Sequence, residues 1–450
     1  MGEYITAFSN WVWGYPMLGL LGLIGIAFTI LLKGLQFTQF FKAAKMTYVK
    51  RTGKGEGNIS PLQSLYGALG GIIGNGNLAG AATAIVSGGA GALFWMWIAS
   101  IVAMIIVYTE TFLALNDREK SDDGTYSGGP MYYIQKSLNL KWLAILFAFA
   151  MGTKTLLATT IIQSNSIADA ARSVIGVSWF PGWIPELLPY CLILAFLTWL
   201  VVIGGLRSIA RALEKITPLM VVVFMVFGTI IIIANSERLL EVINQVVVSA
   251  FRPQSIGGGV AGASVMLAIR FGVARGFYSN EAGTGSSPIM YCTAKTDNIY
   301  YQSLIGMFGV FIDTVVSTFT CLTILLTAGW IETGEKGIGL TTYAFDGVFP
   351  GYGGYIVLFA SFLFGYSTLI AWCFYGEQCF AYIWGPHIRK TFRWAFSIVI
   401  LVGFYKVQLI WSWADILNAI TVSINLVALV LLINKAVQKT NLFRSEEISS

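Results

Sequence analysis

The stretch GGIIGNGNLAG, residues 70–80, lies inside an apolar run long enough to cross a bilayer, yet it holds five glycines and two asparagines. Each glycine costs a helix interior roughly 1 kcal/mol relative to alanine. Asparagine offers the backbone competing hydrogen bonds. Backbone groups freed in hydrocarbon each cost several kcal/mol, so a break there is tolerated only where it lines protein or a polar cavity. The stretch predicts a discontinuous membrane helix whose break has a use: unwound carbonyls ligate a cation, and exposed amides at a half-helix N-terminus hold a carboxylate. Close packing between helices is the other reason for glycines here, and a second break elsewhere is what favours the site.

The rest of the chain agrees with a membrane setting. Of 450 residues 56% are hydrophobic and 11% charged, against about 25% charged in soluble domains, and the mean hydropathy is +0.72. The net charge of +6 is scattered over short loops, which argues against nucleic-acid binding. The single His387 and the dispersed Cys191, Cys292, Cys321, Cys373 and Cys379 lack metal-ligand spacing. No nucleophile–base pair accompanies them, so an enzyme is not expected. The opening MGEYITAFSN has no basic n-region and predicts no cleaved signal.

At about 20 apolar residues per crossing, eleven spans are expected, at about 15–32, 63–88, 92–115, 141–171, 187–205, 216–234, 257–280, 301–328, 353–380, 391–406 and 411–434. Of the 28 Lys and Arg, twenty then fall on one side, five on the other and three within spans. By the positive-inside rule this places the N-terminus outside and the C-terminus in the cytoplasm. The stretch 33–50 reads as an amphipathic helix on the inner surface, and 237–251 as its counterpart outside.

A second Gly-rich span begins at Ser255, with charges and glycines at Arg270, Gly272, Arg275 and Gly276. It lies five spans after the first and starts on the opposite side. Two such interruptions in corresponding positions predict inverted repeats meeting at a shared site. The chain divides into 1–60 (an extra first span and the surface helix), 61–235 (first repeat), 236–435 (second repeat) and 436–450 (tail).

Several motifs resemble the alanine/glycine:cation symporter family, the sodium:alanine symporters: GNGNLAGAATAIVSGGAGALFWMWIAS (74–100), GGPMYYI (128–134), FGVARGFYSNEAGTGSSP (271–288), FIDT (311–314) and STLIAWCFYGE (367–377). They run in the family's order over nearly the whole chain. The resemblance implies an all-α, leucine-transporter-like 5+5 fold with one extra N-terminal helix. It also implies sodium-coupled import of alanine, glycine and similar amino acids across a prokaryotic plasma membrane, with a monomer sufficient. Two departures are Asn75, where the family has threonine, and Ala103, where it has glycine. The first puts substrate and coupling-ion preference in question.

Asn75, Gly76 and Asn77 supply amides and closely approachable backbone for a zwitterion. Ser361, Gly365, Thr368 and Trp372 share one helix face. The resembled fold draws cation-ligating hydroxyls from this helix, so Thr368 and Ser367, with backbone at Ile73 and Gly74, are the expected sodium ligands. Trp372 would cap the pocket. For Thr368 the competing role is a bond back to its own helix, and for Trp372 it is packing. Gln163 is expected to face substrate or to bond between helices. Phe271 and Gly272 are expected at the second break. Asp313, Arg275, Glu110 and Glu281 are intramembrane or inner-end charges, expected in gates or structural pairs. Arg270, Arg275 and Lys154 are the available cations for Asp313, direct sodium contact is its other role, and Glu377 is a further partner for Arg275. A proton-coupled carrier of the same fold, with Asp313 titrating and a preference for serine or glutamine, is the alternative. An ion channel fits internal repeats within one chain poorly.

Overall fold

The computed structural model describes residues 11–49, 53–176, 185–252, 265–327, 330, 334–335, 337–405 and 408–449. The opening decapeptide, the start of the second Gly-rich span at 255–264, and Lys50, Arg51, Lys336 and Lys406 lie outside them. The architecture is helical: α1 Tyr15–Leu31, α2 Phe40–Val49, α3 Pro61–Ile72, α4 Gly76–Gly88, α5 Gly91–Asn116, α6 Pro130–Leu138, α7 Lys141–Ile175, α8 Leu188–Val202, α9 Gly205–Ala234, α10 Ser236–Phe251, α11 Val265–Ser279, α12 Ser287–Tyr291, α13 Ile299–Leu326, α14 Ile338–Asp346, α15 Gly353–Trp384, α16 Ile388–Val399 and α17 Gln408–Ser449. A two-stranded hairpin pairs Glu119–Lys120 with Tyr126–Ser127.

Six of the described helices are long and apolar enough to cross a membrane (α5, α7, α9, α13, α15 and most of α17), and the bent pair α3–α4 makes a seventh. The apolar α1 and α8 are shorter. The eleven-span expectation differs at one place. Over 391–406 the helix α16 has only 12 residues and carries Arg389, Lys390 and Arg393, and a 3₁₀ turn follows it. The expected span 257–280 falls partly outside the described residues; its described part is helix α11, which carries Arg270 and Arg275. Hydropathy windows overlook such charges when the flanks are apolar. The helix α9 starts well before its expected 216, because Arg207, Arg211 and Lys215 continue it as an amphipathic first half.

The expected surface helix is α2. One side packs Phe40 against Phe311, with ring centroids 4.9 Å apart, while Phe41 and Tyr48 stay exposed. The predicted 237–251 helix is α10, whose Val242, Val246 and Ala250 are buried.

Helix α15 is buried along most of its length and packs against α3, α7, α9 and α14. Helix α5 packs against α11 and α13. The α5–α11 contact depends on missing side chains: a Cβ on Gly272 would lie 2.3 Å from the Ala92 carbonyl oxygen, and one on Gly276 would lie 2.7 Å from Ala99 Cβ. On α9, Leu219, Val222, Val226, Ile230 and Ile233 face outward, an apolar surface suited to lipid.

Candidate binding site at the helix break

Helix α3 starts on a capping box. Gln63 N donates to Ser60 Oγ at 3.1 Å, and Ser60 N donates to Gln63 Oε1 at 3.0 Å; Pro61 fills the first turn. The helix stops at Ile73, which is extended (φ −77°, ψ 95°). The chain resumes as a wide π turn, Gly76–Gly80, leading α4 away at 52°. Asn77 holds this corner: its Oδ1 accepts from Gly74 N at 3.0 Å, and its own N donates to Gly74 O at 3.0 Å. The predicted break is therefore present, and one asparagine side chain supplies part of the hydrogen bonding that the helix gives up.

The other end of the same amide reaches α13. Asn77 Nδ2 donates to Asp313 Oδ1 at 2.6 Å and Ser317 Oγ at 3.0 Å, and lies 3.1 Å from Ser279 Oγ. Ser279 Oγ donates to Asp313 Oδ2 at 2.8 Å. Asp313 is fully buried, and neutral donors hold both its oxygens. The expected gating ion pair is not formed at Asp313 among the described residues.

Helix α15 closes the break from behind. Thr368 Oγ1 lies 2.9 Å from Phe364 O on its own helix and 3.2 Å from Gly70 O on α3. Trp372 Nε1 donates to Gly71 O at 3.0 Å. These two side chains serve carbonyls in the last turn of α3, which lack an intrahelical donor. A Cβ on Gly74 would lie 2.7 Å from Thr368 Oγ1 and 3.3 Å from Gln163 Nε2, so only glycine admits that approach. Ser367 turns away: its hydroxyl donates to Phe364 O at 2.9 Å and faces Met220 Sδ. The placement expected for Ser367 is corrected, because it points to α9 one residue off the cavity-facing stripe.

Between these elements lies a cavity of ≈ 70 Å³ lined by Asn77, Lys154, Gln163, Ser279, Thr368 and Trp372, with Glu281, Tyr278 and Trp411 at its edges. A chamber of ≈ 220 Å³ adjoins it, sharing Gly76, Gln163, Tyr278 and Trp411. Asn75 faces this chamber and not the cavity. The chamber shares Ala79 and Ser166 with a ≈ 750 Å³ vestibule between the C-terminal end of α7, α14 and the start of α15. Polar groups at the break are thus reached from one end of the bundle.

The opposite end is held together by ion pairs and hydrogen bonds. Arg393 donates to Glu377 through Nε at 2.5 Å and Nη2 at 2.9 Å. Arg389 pairs with Asp123 on the hairpin. Arg118 Nη1 donates to Cys292 O at 2.9 Å and Ala294 O at 2.8 Å, and its Nη2 to Glu56 O at 2.9 Å, binding the segment before α3 to the segment after α12. Burial pulls the Arg118 pKa below its ordinary value.

Three expected placements are corrected. Phe271 and Gly272 do not sit at a break: α11 is continuous through them, and Phe271 lines, with Arg270, Trp13 and Asp415, a pocket that shares Arg275, Tyr278 and Trp411 with the chamber. The discontinuity falls at 280–286, where Glu281 (φ 52°), Gly283 (φ 81°) and Gly285 (φ 77°) are left-handed. A mid-helix glycine that admits a neighbouring helix looks the same in sequence as one that breaks the helix. The expected partnering of Arg275 with Glu110, Glu281 or Glu377 is also absent. Glu281 lies 3.8 Å from Lys154, Glu377 holds Arg393, and Glu110 accepts from Asn425 Nδ2 at 2.5 Å. Arg275 instead lies over the Tyr278 ring at 5.7 Å.

Sequence reasoning missed Tyr278, Ser279, Lys154 and Trp411 as cavity residues. Ser279 carried a signal, as a small hydroxyl directly before the turn. Lys154 was visible as an intramembrane cation, and its Nζ donates to Asn418 at 2.6 Å and sits 4.4 Å above the Trp372 ring. Trp411 carried none, since its helix joins the site only by tertiary packing.

An apolar bundle that gathers polar groups at a helix corner and opens to them from one end is a multi-pass membrane transporter. The profile described as the sodium:alanine symporter family matches residues 1–449. The chain is 36% identical to the sodium/alanine symporter AgcS of Methanococcus maripaludis, over 98% of this chain and 96% of that one. It is 32% identical to the amino-acid carrier protein AlsT of Bacillus subtilis (95% and 89%). It is 31% identical to the "Probable sodium/glutamine symporter GlnT" of the same organism (96% and 88%). The chain belongs to the sodium:alanine symporter family.

Proposed function

We propose that this protein is a secondary active symporter that uses sodium entry to drive uptake of small neutral amino acids, alanine and glycine foremost. The observation that carries the reading is the corner at 73–77, where freed backbone, Asn77, Gln163 and Thr368 meet around one small cavity. A zwitterion needs acceptors and donors at close range, and this corner offers both. Sodium prefers hard oxygen ligands. Thr368 Oγ1 with carbonyls at Ile73 and Gly74 forms the core of its site, and Ser367 joins only if its side chain rotates. Asn75, Gly76, Asn77, Gln163 and Trp372 serve the amino acid, with Ser279 added from α11. Phe271 and Gly272, set back from the cavity, act on it through packing.

The wider frame is a 5+5 inverted repeat in a prokaryotic plasma membrane with the N-terminus outside, the two repeats contributing the corners at 73–76 and 280–286. In that orientation the vestibule faces outward, and the Arg393–Glu377 and Arg389–Asp123 ties close the inner end. Span seven of the eleven includes α11, and span ten is the short helix α16. One charge moved inward at 100 mV contributes about 2.3 kcal/mol.

A second reading rests on Asp313. A buried carboxylate held by Asn77 and Ser279, with no cation within 4 Å among the described residues, is a place for a proton, and the same fold would then be proton-coupled with a preference for serine or glutamine.

Uptake of labelled alanine into proteoliposomes decides between them. Concentrative uptake that requires a sodium gradient, and is lost in Thr368→Ala and Asn77→Ala variants that still fold, supports sodium symport. Uptake that ignores sodium and follows a pH gradient moves the coupling to a proton at Asp313.

A further inference from the structure

The ≈ 220 Å³ chamber between vestibule and cavity has three features that packing alone does not account for. Arg275 lines it and makes no ion pair among the described residues; its guanidinium only overlies Tyr278. Asn75 is 4% exposed, yet neither Oδ1 nor Nδ2 has a hydrogen-bond partner. Gln163 Oε1, on the wall shared with the cavity, is also buried and unpartnered. A buried polar atom without a hydrogen bond is unfavourable, and Arg275, partly buried, leaves its charge directed at the chamber that it lines. One guanidinium and two orphan amides around one space are the complement of a carboxylate and an ammonium carried by one small molecule.

Size points the same way. The chamber, at ≈ 220 Å³, is the larger of the two spaces, and the inner cavity, at ≈ 70 Å³, the smaller. An amino acid coming from the vestibule meets the larger chamber first, and Tyr278 and Trp411 line both the chamber and the cavity.

We propose that the chamber is a loading subsite for the amino acid, in which Arg275 takes the carboxylate and the amide oxygens of Asn75 and Gln163 take the ammonium, upstream of the cavity at the break. The inference rests on the amino-acid symport reading. It deepens that reading by separating capture, which tolerates longer side chains, from commitment, which does not. An amino acid too long for the cavity should therefore occupy the chamber and block it.

The test uses the full chain in proteoliposomes, with labelled alanine uptake measured against unlabelled glutamine. In the wild type, glutamine inhibits alanine uptake competitively and is itself carried far more slowly. Arg275→Gln raises the alanine KM at least tenfold, with a smaller fall in maximal rate, and raises the inhibitory concentration of glutamine by a similar factor. Arg275→Lys restores part of both, and Asn75→Ala shifts both in the same direction as Arg275→Gln. Unchanged KM and unchanged glutamine inhibition in Arg275→Gln overturn the subsite while leaving the symport reading in place. A fall in maximal rate with no change in KM, for Arg275→Gln and Arg275→Lys alike, overturns it too, because it assigns the residue to structure. Wild-type protein that carries no small amino acid overturns both readings together. Elution of each variant as a single detergent-solubilised species separates misfolding from lost capture.

Discussion

Residues of one type play opposite parts here, and the surroundings decide which. A Cβ on Gly272 would lie 2.3 Å from the Ala92 carbonyl oxygen, while one on Gly76 meets nothing within 4 Å. Gly272→Ala is expected to force α11 off α5 and destabilise the protein by about 1–3 kcal/mol; Gly76→Ala should leave the unfolding temperature nearly unchanged. Thermal unfolding in detergent reads both. Asp313→Ala strands the Asn77 amide and the Ser279 hydroxyl in a buried place, at about 1–3 kcal/mol for each unsatisfied group. Pairing Asp313→Ala with Asn77→Ala should cost less than the sum of the two single changes, and strict additivity would show that the contact carries no energy. Much of this scale was readable beforehand. Asn77, Thr368 and Gln163 were picked out as polar residues on apolar spans, and the structure brings them together. The direction of Ser367 was not readable, because one residue of helix rotation separates a cavity-facing hydroxyl from one facing Met220.

Among the elements, the α3–α4 corner is the most constrained. Gly74→Ala would place a methyl group 2.7 Å from Thr368 Oγ1 and should abolish uptake while the protein still inserts and folds, since only the corner is disturbed. Helix α16 contributes differently. Glu377 is 1% exposed, and Arg393 holds both its oxygens. Arg393→Met leaves that carboxylate unpaired, at about 3–5 kcal/mol, and the double variant Arg393→Met/Glu377→Leu should regain most of the loss in thermal stability. The hairpin adds a pH-dependent tie. Burial raises the Asp123 pKa, but the hydrogen bond and charge of Arg389, with the Thr125 N–H, outweigh it and hold the group below its ordinary value. A carboxylate so depressed lends stability that is fully present above about pH 4 and is lost as pH falls through the lower folded value. Hairpin cleavage by an acid-active protease should rise below about pH 4 in the wild type, and Asp123→Asn should be equally cleaved at all pH values.

For the molecule as a whole, the vestibule and the ion-paired end lie at opposite ends of α15, ~35 Å apart by its rise per residue between Gly354 and Glu377. The native cysteines of the described structure are all buried, so introduced thiols report cleanly. In right-side-out vesicles, a membrane-impermeant thiol reagent should label Ser166→Cys, on the wall shared by chamber and vestibule. Gln378→Cys, 1% exposed behind Arg389, should resist labelling from that side. The reverse pattern would invert the proposed orientation.

The sequence by itself determined the class of this protein and the place of its first helix break. Apolar runs, their flanking charges and a cluster of glycines and asparagines act locally, through transfer energy and backbone preference, and local rules suffice to read them. Only the tertiary structure decided which glycines bend the chain and which let helices touch, which acid answers which base, and how Asn75 and Asn77 part to face different spaces. Those outcomes depend on what arrives from distant segments: Ala92 against Gly272, Lys154 against Glu281, and Asp313 against Asn77. A contact between residues more than a hundred positions apart leaves no periodic trace in either one's neighbourhood, and it exists only once the helices have packed.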